Sequence, residues 1–376
     1  MCWVRREQSM PCLRLSLSLL CFLTAAMGGA PQAARTDETL RAASFAYVAN
    51  DRAGTVSAFH INAATGELTP LAAAAIATDK NPYTVTVDPA GRWLYVAHGD
   101  ASSIVAFSRD PIGGALKPAP ISRTATGVYP VSATIDATGR FLYVSTMVAD
   151  AMAVYAIDPT TAALTPVAGS PFAAGTRPSG NAIHPNGRFL YVTNLTARSV
   201  VAFAIDRVAG ALKPLSGSPF SAGTNPRAIA IEPGGRFAYV VNSVSNDVSS
   251  YSIDPDNGTL APLPGGPVPT GKNPRALVIA PNGGYLYVAS YDSDSIWAYT
   301  IDHVSGALRP LLEQQFAAGK NPRGLAIDWR GRFLYCTNYG SNSVSAYRVD
   351  PATGALKPIS GSPYSTGDGP FGIAVF

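Results

Sequence analysis

Charged residues, histidine and cysteine are all scarce in this sequence. Only 14% of the 376 residues are charged, and there are four histidines and four cysteines. The formal net charge is +4, with no cluster of lysine and arginine in the body of the chain. Nucleic-acid binding needs a basic stripe to neutralise phosphates, so no nucleic-acid partner is expected. With 47% hydrophobic residues the chain can bury a large core, which excludes intrinsic disorder.

The small number of histidines and cysteines limits the metal-binding, catalytic and disulfide chemistry open to the chain. His60, His98, His184 and His303 form no pair at metal-ligand spacing, so neither a metal nor another cofactor is predicted. No Gly-x-Ser-x-Gly elbow and no phosphate-cradling loop occurs. Cys336 is the one cysteine after the first 40 residues, so the mature chain cannot form an internal disulfide. It stands where other repeats carry valine, which predicts a buried position.

The N-terminus has the pattern of a secretory signal peptide. Three arginines precede an apolar run at 15–27, and a stretch of small residues follows. We therefore expect 1–34 to be a signal peptide, 35–43 a short linker, and the mature protein to be periplasmic or secreted. The run is short for a bilayer span of ~20 residues, so no transmembrane segment is expected after cleavage. An uncleaved membrane anchor remains the alternative, and Met10 is an alternative start.

Glycine and proline are abundant, with 35 and 31 copies, and they belong to a strict internal repeat. The chain length equals seven repeats of 48 residues plus 40. Four markers keep this spacing through seven copies: a tyrosine, a proline, a second aromatic and a leucine. The tyrosines are Tyr47, Tyr95, Tyr143, Tyr191, Tyr239, Tyr287 and Tyr335, and the prolines are Pro82, Pro130, Pro178, Pro226, Pro274, Pro322 and Pro370. Periods of 40–50 residues indicate propeller blades or helical arrays.

The residue pattern within each copy favours propeller blades over helical arrays. In the fifth copy, 226–231 alternates large and small residues, and 236–241 is aromatic and β-branched. A third alternating segment follows at 247–253, and a proline-marked segment begins at Thr259. Four short segments separated by turns predict a four-stranded antiparallel sheet, with the proline strand at its outer edge. The predicted fold is therefore an all-β, seven-bladed β-propeller spanning 44–376.

The chain ends predict how the ring closes. The first copy starts at Ser44 and lacks the proline-led first strand, whereas the chain finishes with such a strand from Pro370 to Phe376. We expect the C-terminal strand to complete the first blade, which removes the unpaired edges. A ring that closes on itself does not require an oligomer, so a monomer is predicted.

The repeat also resembles a known family. Copies reading Pro226-Arg-Ala-Ile-Ala-Ile-Glu-Pro-Gly-Gly-Arg-Phe-Ala-Tyr-Val-Val-Asn242, with Asn257-Gly-Thr-Leu260 later in the unit, resemble the lactonase-type seven-bladed propellers. That family includes bacterial 6-phosphogluconolactonases and fungal carboxymuconate cyclases. Tyr191-Val-Thr-Asn194 also resembles the repeat of surface-associated propellers named after this tetrapeptide. The resemblance implies hydrolysis of a lactone of an acidic or sugar-derived compound.

The propeller geometry predicts where a site would lie. The residue after each marker proline should meet the residue just after the second strand at one mouth of the central channel. The first set is Tyr83, Val131, Ser179, Arg227, Arg275, Arg323 and Phe371, and the second is Asn50, His98, Thr146, Asn194, Asn242, Ser290 and Asn338. Loop residues Tyr129 and Arg177 join this face. Several arginines at one mouth can hold a carboxylate or phosphate through forked hydrogen bonds.

Candidate roles follow from this placement. Arg227 and Arg275 are the candidate catalytic residues, because they fit the family pattern and can stabilise an oxyanion. The resemblance places a histidine and a glutamate where this chain has Ala228 and Ser243, so His98 is the candidate replacement base. The candidate substrate-binding residues are Arg323, Arg177, Asn194, Asn242, Asn338, Tyr83 and Tyr129.

Two functions remain open at this point. The first is an exported lactonase, and the second is a non-catalytic binding or cell-surface propeller that uses the same mouth. The residues also allow structural roles. Repeated arginines can bridge neighbouring blades, asparagines at strand ends can cap the loops that follow, and His98 can anchor a loop.

Overall fold

The computed structural model describes residues 44–117 and 120–376. The predicted signal peptide at 1–34 and linker at 35–43 lie outside the described residues. Seven separate antiparallel sheets follow one another along the chain, and each has four strand positions from the channel outward. The prediction of a seven-bladed β-propeller with four antiparallel strands per blade is confirmed. In four blades the outer strand is interrupted and forms two short segments.

The strand bounds repeat closely from blade to blade. The inner strands of blades two to seven, followed by that of blade one, are Pro82–Val87, Pro130–Ile135, Pro178–Ile183, Pro226–Ile231, Pro274–Ile279, Pro322–Ile327 and Pro370–Val375. The second strands of blades one to seven are Ser44–Asn50, Trp93–His98, Phe141–Thr146, Phe189–Asn194, Phe237–Asn242, Tyr285–Ser290 and Phe333–Asn338. The third strands are Thr55–Ile61, Ser103–Ser108, Ala151–Ile157, Ser199–Ile205, Asp247–Ile253, Ser295–Ile301 and Ser343–Val349. The outer strands are Leu68–Ala77, Ser122–Ala125, Leu164–Pro166 with Phe172–Ala173, Leu212–Pro214 with Phe220–Ser221, Leu260–Pro262 with Val268–Pro269, Leu308–Ala317, and Leu356–Pro358 with Tyr364–Ser365.

Helix is nearly absent from the described chain. Within 44–117 and 120–376, the one helical segment is the 3₁₀ turn Tyr291–Ser293. No helix in these ranges is long and apolar enough to cross a bilayer. Cys336, predicted to be buried, is fully buried in its strand, and burial raises the pKa of its thiol.

The hydrophobic core lies between neighbouring blades. Successive side chains of a strand point to opposite faces of the sheet, so a second strand packs on both adjoining blades. Between blades four and five, for example, Phe189 and Tyr191 pack with Ile229 and Val240. Both faces of each sheet are therefore apolar, and a blade needs a neighbour on each side.

The predicted closure of the ring is confirmed. The last strand, Pro370–Val375, pairs with the first described strand, Ser44–Asn50, in antiparallel register. The amide of Phe45 donates to the carbonyl of Phe376 at 2.9 Å, and the amide of Phe376 donates back at 3.0 Å. The two ends of the propeller therefore share one sheet.

A buried arginine from blade two reinforces this junction. Arg109 is 4% exposed, and its Nε donates to the Tyr47 hydroxyl at 2.7 Å. Its guanidinium carbon lies 4.9 Å from the ring centroids of both Phe45 and Phe376. Burial raises the pKa of Tyr47 to about 12, so its hydroxyl stays protonated and can also donate to the Gly114 carbonyl at 2.5 Å.

The marker tyrosines connect most blades to the next one. In six of the seven copies the tyrosine hydroxyl donates to a carbonyl in a hairpin of the adjacent blade. These bonds are Tyr47 to Gly114, Tyr95 to Ala162, Tyr191 to Gly258, Tyr239 to Gly306, Tyr287 to Gly354 and Tyr335 to Gly66. Gly306 has φ +71°, and a Cβ there would lie 2.4 Å from the Phe237 ring, so the hairpin requires glycine.

These hydroxyls provide a test with an internal control. Tyr239→Phe should lower the free energy of unfolding by about 1 kcal/mol, because the buried Gly306 carbonyl loses its side-chain donor. Tyr143→Phe is the matched control, since the Tyr143 hydroxyl is buried without a hydrogen-bond partner among the described residues. Its effect should stay within about 0.5 kcal/mol. Urea unfolding measures both variants, and equal losses would contradict the bridging role.

Candidate functional site

A β-bulge at the start of the inner strands directs side chains into the channel. Each marker proline pairs with the last residue of the second strand, as Pro226 does with Asn242 and Pro274 with Ser290. In blade five the register then shifts, so that Ala228 pairs with Val241 and the intervening residue has no partner. The unpaired residue of a bulge is turned away from the ladder. The position after the proline can therefore face the channel in each blade.

The seven residues at this position meet around one cavity of about 150 Å³. Its lining consists of Tyr83, Val131, Ser132, Met147, Ser179, Gly180, Arg227, Ala228, Arg275, Arg323 and Phe371. We call this the channel cavity. All seven residues predicted from the repeat to form a ring at the mouth are in this lining. Among these lining residues none is a carboxylate or a histidine, so the channel cavity offers no conventional general base.

Three arginines make one side of the channel cavity cationic. Arg227, Arg275 and Arg323 come from consecutive blades, and none of them forms a salt bridge with a described carboxylate. The Nε atoms of Arg227 and Arg275 are buried without a hydrogen-bond partner among the described residues. Burial lowers the pKa of Arg227 to about 9, and the charges of the other two arginines act in the same direction. Burial also lowers the pKa of Arg275 and of Arg323. Unpaired buried charge is costly, so this arrangement is complementary to an anion.

Aromatic rings form the other side of this cavity. The ring centroids of Tyr83 and Phe371 are 4.0 Å apart, and the hydroxyls of Tyr83 and Tyr129 are 3.2 Å apart. The guanidinium carbon of Arg323 lies 3.4 Å from the Phe371 centroid and 5.0 Å from that of Tyr339. The Tyr83 side chain is also close enough to influence the pKa of all three arginines.

Sequence reasoning missed Tyr291 and Tyr339. The Arg275 guanidinium carbon lies 5.0 Å from the Tyr291 ring centroid, and Tyr339 donates its hydroxyl proton to Asp51 at 3.0 Å. Both tyrosines directly follow the last residue of a second strand. That position in the repeat is the signal that would have placed them at the mouth.

A second cavity of about 470 Å³ adjoins the first at blades five and six. It is lined by Asn225, Arg227, Ser243, Val244, Asn246, Lys272, Asn273, Arg275 and Asp292, and we call it the rim cavity. Arg227 and Arg275 line both cavities. Asp292 is the one carboxylate in either lining, and it accepts a hydrogen bond from Asn273 Nδ2 at 3.0 Å. The Ser243 hydroxyl lies 2.9 Å from Asn225 Oδ1, to which it donates.

His98 lies outside both cavities. It is fully buried, and its Nε2 lies 2.8 Å from the Thr78 hydroxyl. Burial lowers the pKa of His98 to about 4, so the ring is neutral at pH 7. The structure therefore does not bring this candidate base to the arginines, because its side chain turns into the blade.

The three candidate asparagines also turn into their blades. Asn194, Asn242 and Asn338 are fully buried at the ends of second strands and line neither cavity. Asn242 Nδ2 donates to the Ser249 hydroxyl at 2.9 Å, and Asn338 Nδ2 donates to that of Ser345 at 2.9 Å. Asn194 Nδ2 lies 3.5 Å from the carbonyl of Val192, in its own strand. Hydrogen bonds within the blade thus occupy the amides expected at the mouth.

Arg177 and Tyr129 have an unusual backbone conformation. Each precedes a marker proline in a left-handed conformation, with φ +56° and +65°. The five other blades have asparagine or glycine at this position, which tolerate positive φ with little strain. Arg177 Nη2 lies 3.6 Å from the sulfur of Met147, which lines the channel cavity. Backbone strain of this kind is typical of functional positions.

The strain at Arg177 can be measured. Arg177→Asn should raise the free energy of unfolding by about 0.5–1 kcal/mol, because asparagine adopts positive φ more readily. The backbone amide would keep its bond to Asp150, since asparagines at the equivalent positions make the same bond. Chemical denaturation checks the prediction, and a less stable variant would show that the arginine side chain stabilises the fold.

No metal centre is formed by the residues that the structure describes. Within 44–117 and 120–376, no group of three histidine, cysteine, aspartate or glutamate side chains is placed to hold an ion. The lining of the two cavities provides hydroxyls, amides, one carboxylate and guanidinium groups. These can bind and orient an anion by hydrogen bonds.

The closed ring and its cationic mouth define a seven-bladed β-propeller with a candidate anion site in the channel. The family model for lactonases with a seven-bladed β-propeller matches residues 34–132, 119–219 and 182–368. The chain belongs to this lactonase family. A search of curated proteins found no match to the sequence.

Solved structures with the same fold have low sequence identity. A periplasmic gluconolactonase from Pseudomonas aeruginosa has a TM-score of 0.76 at 22% identity, covering 89% of this chain and 99% of that one. A proposed 6-phosphogluconolactonase from Bacteroides fragilis has a TM-score of 0.79 at 21% identity, covering 89% and 98%. A protein from Lactobacillus plantarum has a TM-score of 0.78 at 18% identity, covering 89% and 99%. At these identities the similarity establishes the fold.

Proposed function

We propose that this protein is an exported propeller that binds a small anionic compound at the channel mouth. The observation that carries the proposal is the set of three guanidinium groups around one cavity whose lining contains no carboxylate. A carboxylate or phosphate placed there would gain forked, charge-assisted hydrogen bonds and neutralise the cluster. In this proposal the protein acts as a monomer and has no nucleic-acid partner.

Two observations support export. The first 34 residues have the basic, apolar and small-residue order of a signal peptide. The similar propeller from Pseudomonas aeruginosa is named a periplasmic enzyme. N-terminal sequencing of the protein recovered from the periplasm or medium tests the proposal, and a chain that still begins at Met1 or Met10 would contradict it.

The arginine cluster predicts opposite effects on stability and on binding. Arg227→Gln removes an unpaired, partly buried charge, so the ligand-free variant should melt about 1–3 °C higher than the wild type. The same change should weaken sulfate binding at least tenfold, because one of three cations is lost. Thermal melts and calorimetric titration with sulfate measure the two effects. Arg236→Gln, at the opposite end of the same blade, is the control and should leave sulfate binding unchanged.

The pH dependence follows from the depressed pKa of Arg227. Burial and the two neighbouring arginines lower the pKa of Arg227 to about 9, so the expected titration of its guanidinium lies above pH 8. Sulfate keeps its charge from pH 7 to 10, so its affinity should be constant up to about pH 8.5 and fall towards pH 10. The Arg227→Gln variant should show a smaller fall over the same interval. A flat wild-type profile to pH 10 would contradict the charge assignment.

Lactone hydrolysis is the second candidate function, favoured by the family and by one carboxylate. Asp292 lines the rim cavity together with Arg227 and Arg275, whereas His98 reaches neither cavity. In this reaction Asp292 takes a proton from water, and the water oxygen attacks the lactone carbonyl. The arginines stabilise the oxyanion, the ring C–O bond breaks, and the proton passes to the leaving alkoxide.

A single variant separates hydrolysis from binding. If the protein hydrolyses lactones, Asp292→Asn should lower kcat at least 100-fold, because the amide cannot accept the proton. Sulfate affinity should stay equal or rise, since a nearby negative charge is removed. A panel of lactones assayed by proton release provides the measurement. Turnover that survives in Asp292→Asn would exclude this residue as the base.

A further inference from the structure

The channel cavity has two chemically different halves. The arginine half faces blades five to seven, and the opposite half consists of aromatic and aliphatic side chains. Tyr83 and Phe371 form the aromatic part, and Val131 and Met147 of blade three extend the apolar surface. Ser132 and Ser179 provide the only hydroxyls in the lining apart from that of Tyr83. The cavity is therefore complementary to a molecule with one charged end and one apolar end.

The aromatic wall is held in place before any ligand arrives. Tyr83 packs on Phe371 with a centroid distance of 4.0 Å, and its ring also meets that of Tyr129 edge-on at 5.5 Å. The Tyr129 hydroxyl lies 3.2 Å from that of Tyr83, and Tyr129 has the left-handed backbone described above. A wall that does not move on binding avoids the entropic cost of ordering side chains.

We propose that the ligand of the channel cavity is a small aromatic monocarboxylate. This inference rests on the proposed function and specifies its ligand class. The carboxylate lies between Arg227 and Arg275, and the planar ring lies against Tyr83. Aromatic pairs with centroids 4.5–7 Å apart are favourable beyond their buried area, and the arginines satisfy both carboxylate oxygens.

The size and the polarity of the channel cavity both favour an aromatic monocarboxylate. A cavity of about 150 Å³ is below the ~300–1,000 Å³ of sites for drug-sized ligands, so it suits a single ring with one substituent. A sugar acid of similar length carries several hydroxyls, and each one needs a hydrogen-bond partner when it is buried. The apolar half offers few such partners. A polyol is therefore expected to bind less tightly here than a planar apolar acid.

Four monovalent acids test the proposal by calorimetric titration of the mature chain. They are benzoate, cyclohexanecarboxylate, gluconate and acetate, each with one carboxylate. We expect benzoate to bind at least tenfold more tightly than gluconate or acetate, and at least threefold more tightly than cyclohexanecarboxylate. Gluconate binding as tightly as benzoate would overturn the proposal and leave anion binding intact. If neither these acids nor sulfate binds, the proposed function itself fails.

Two variants test whether Tyr83 is responsible for the expected preference for benzoate. Tyr83→Ser should lower benzoate affinity at least tenfold and leave sulfate affinity within twofold. Trp329→Ser, in the turn at the opposite end of an inner strand, is the aromatic control and should change neither. Unchanged benzoate binding in Tyr83→Ser would overturn the proposal.

Proton NMR of benzoate with the wild type gives a reading that does not depend on a folded variant. Its ring protons should shift upfield, and the absence of a shift would exclude contact with an aromatic face.

Discussion

Ring closure is the constraint on which the rest of this structure depends. Each sheet is apolar on both faces, so no blade can bury its core without a neighbour on each side. Hydrogen bonds such as that from Tyr239 to Gly306 connect six of the seven blades to the next one. At the junction of the first and last strands, Arg109 adds a cation held between Phe45 and Phe376. The strict period of 48 residues matches a circle of seven sheets of one size.

This uniformity determines how a site can be built. Since no blade has an insertion at the mouth, the site arises from single substitutions at positions that the bulges already direct into the channel. Three of these positions carry arginine, and Tyr83 and Phe371 carry rings. The packing of the blades offsets the destabilising effect of the cationic cluster. In the proposed function, stability and binding are therefore opposed at Arg227.

The repeat made the fold and the ring of channel residues predictable, because pairing of Pro226 with Asn242 follows from the register of one copy. The direction of the side chain at the last residue of each second strand was not predictable in the same way. Asn242 donates a hydrogen bond to the hydroxyl of Ser249 on the third strand. His98 lies within hydrogen-bonding distance of Thr78, in the loop that follows the outer strand of blade one. These contacts depend on packing between strands and blades. Tyr291 and Tyr339 were missed because a loop residue has no alternation to fix its direction.

The position of Phe376 has a consequence for the order of folding events. Its backbone completes the pairing with Phe45, and its ring covers Arg109, so the junction needs Phe376 itself. During synthesis, six blades can stack in sequence while the first lacks its innermost strand. The circle can be closed only after the strand Pro370–Val375 and Phe376 have been synthesised. Until then the nascent chain is an open arc whose two end blades expose apolar faces.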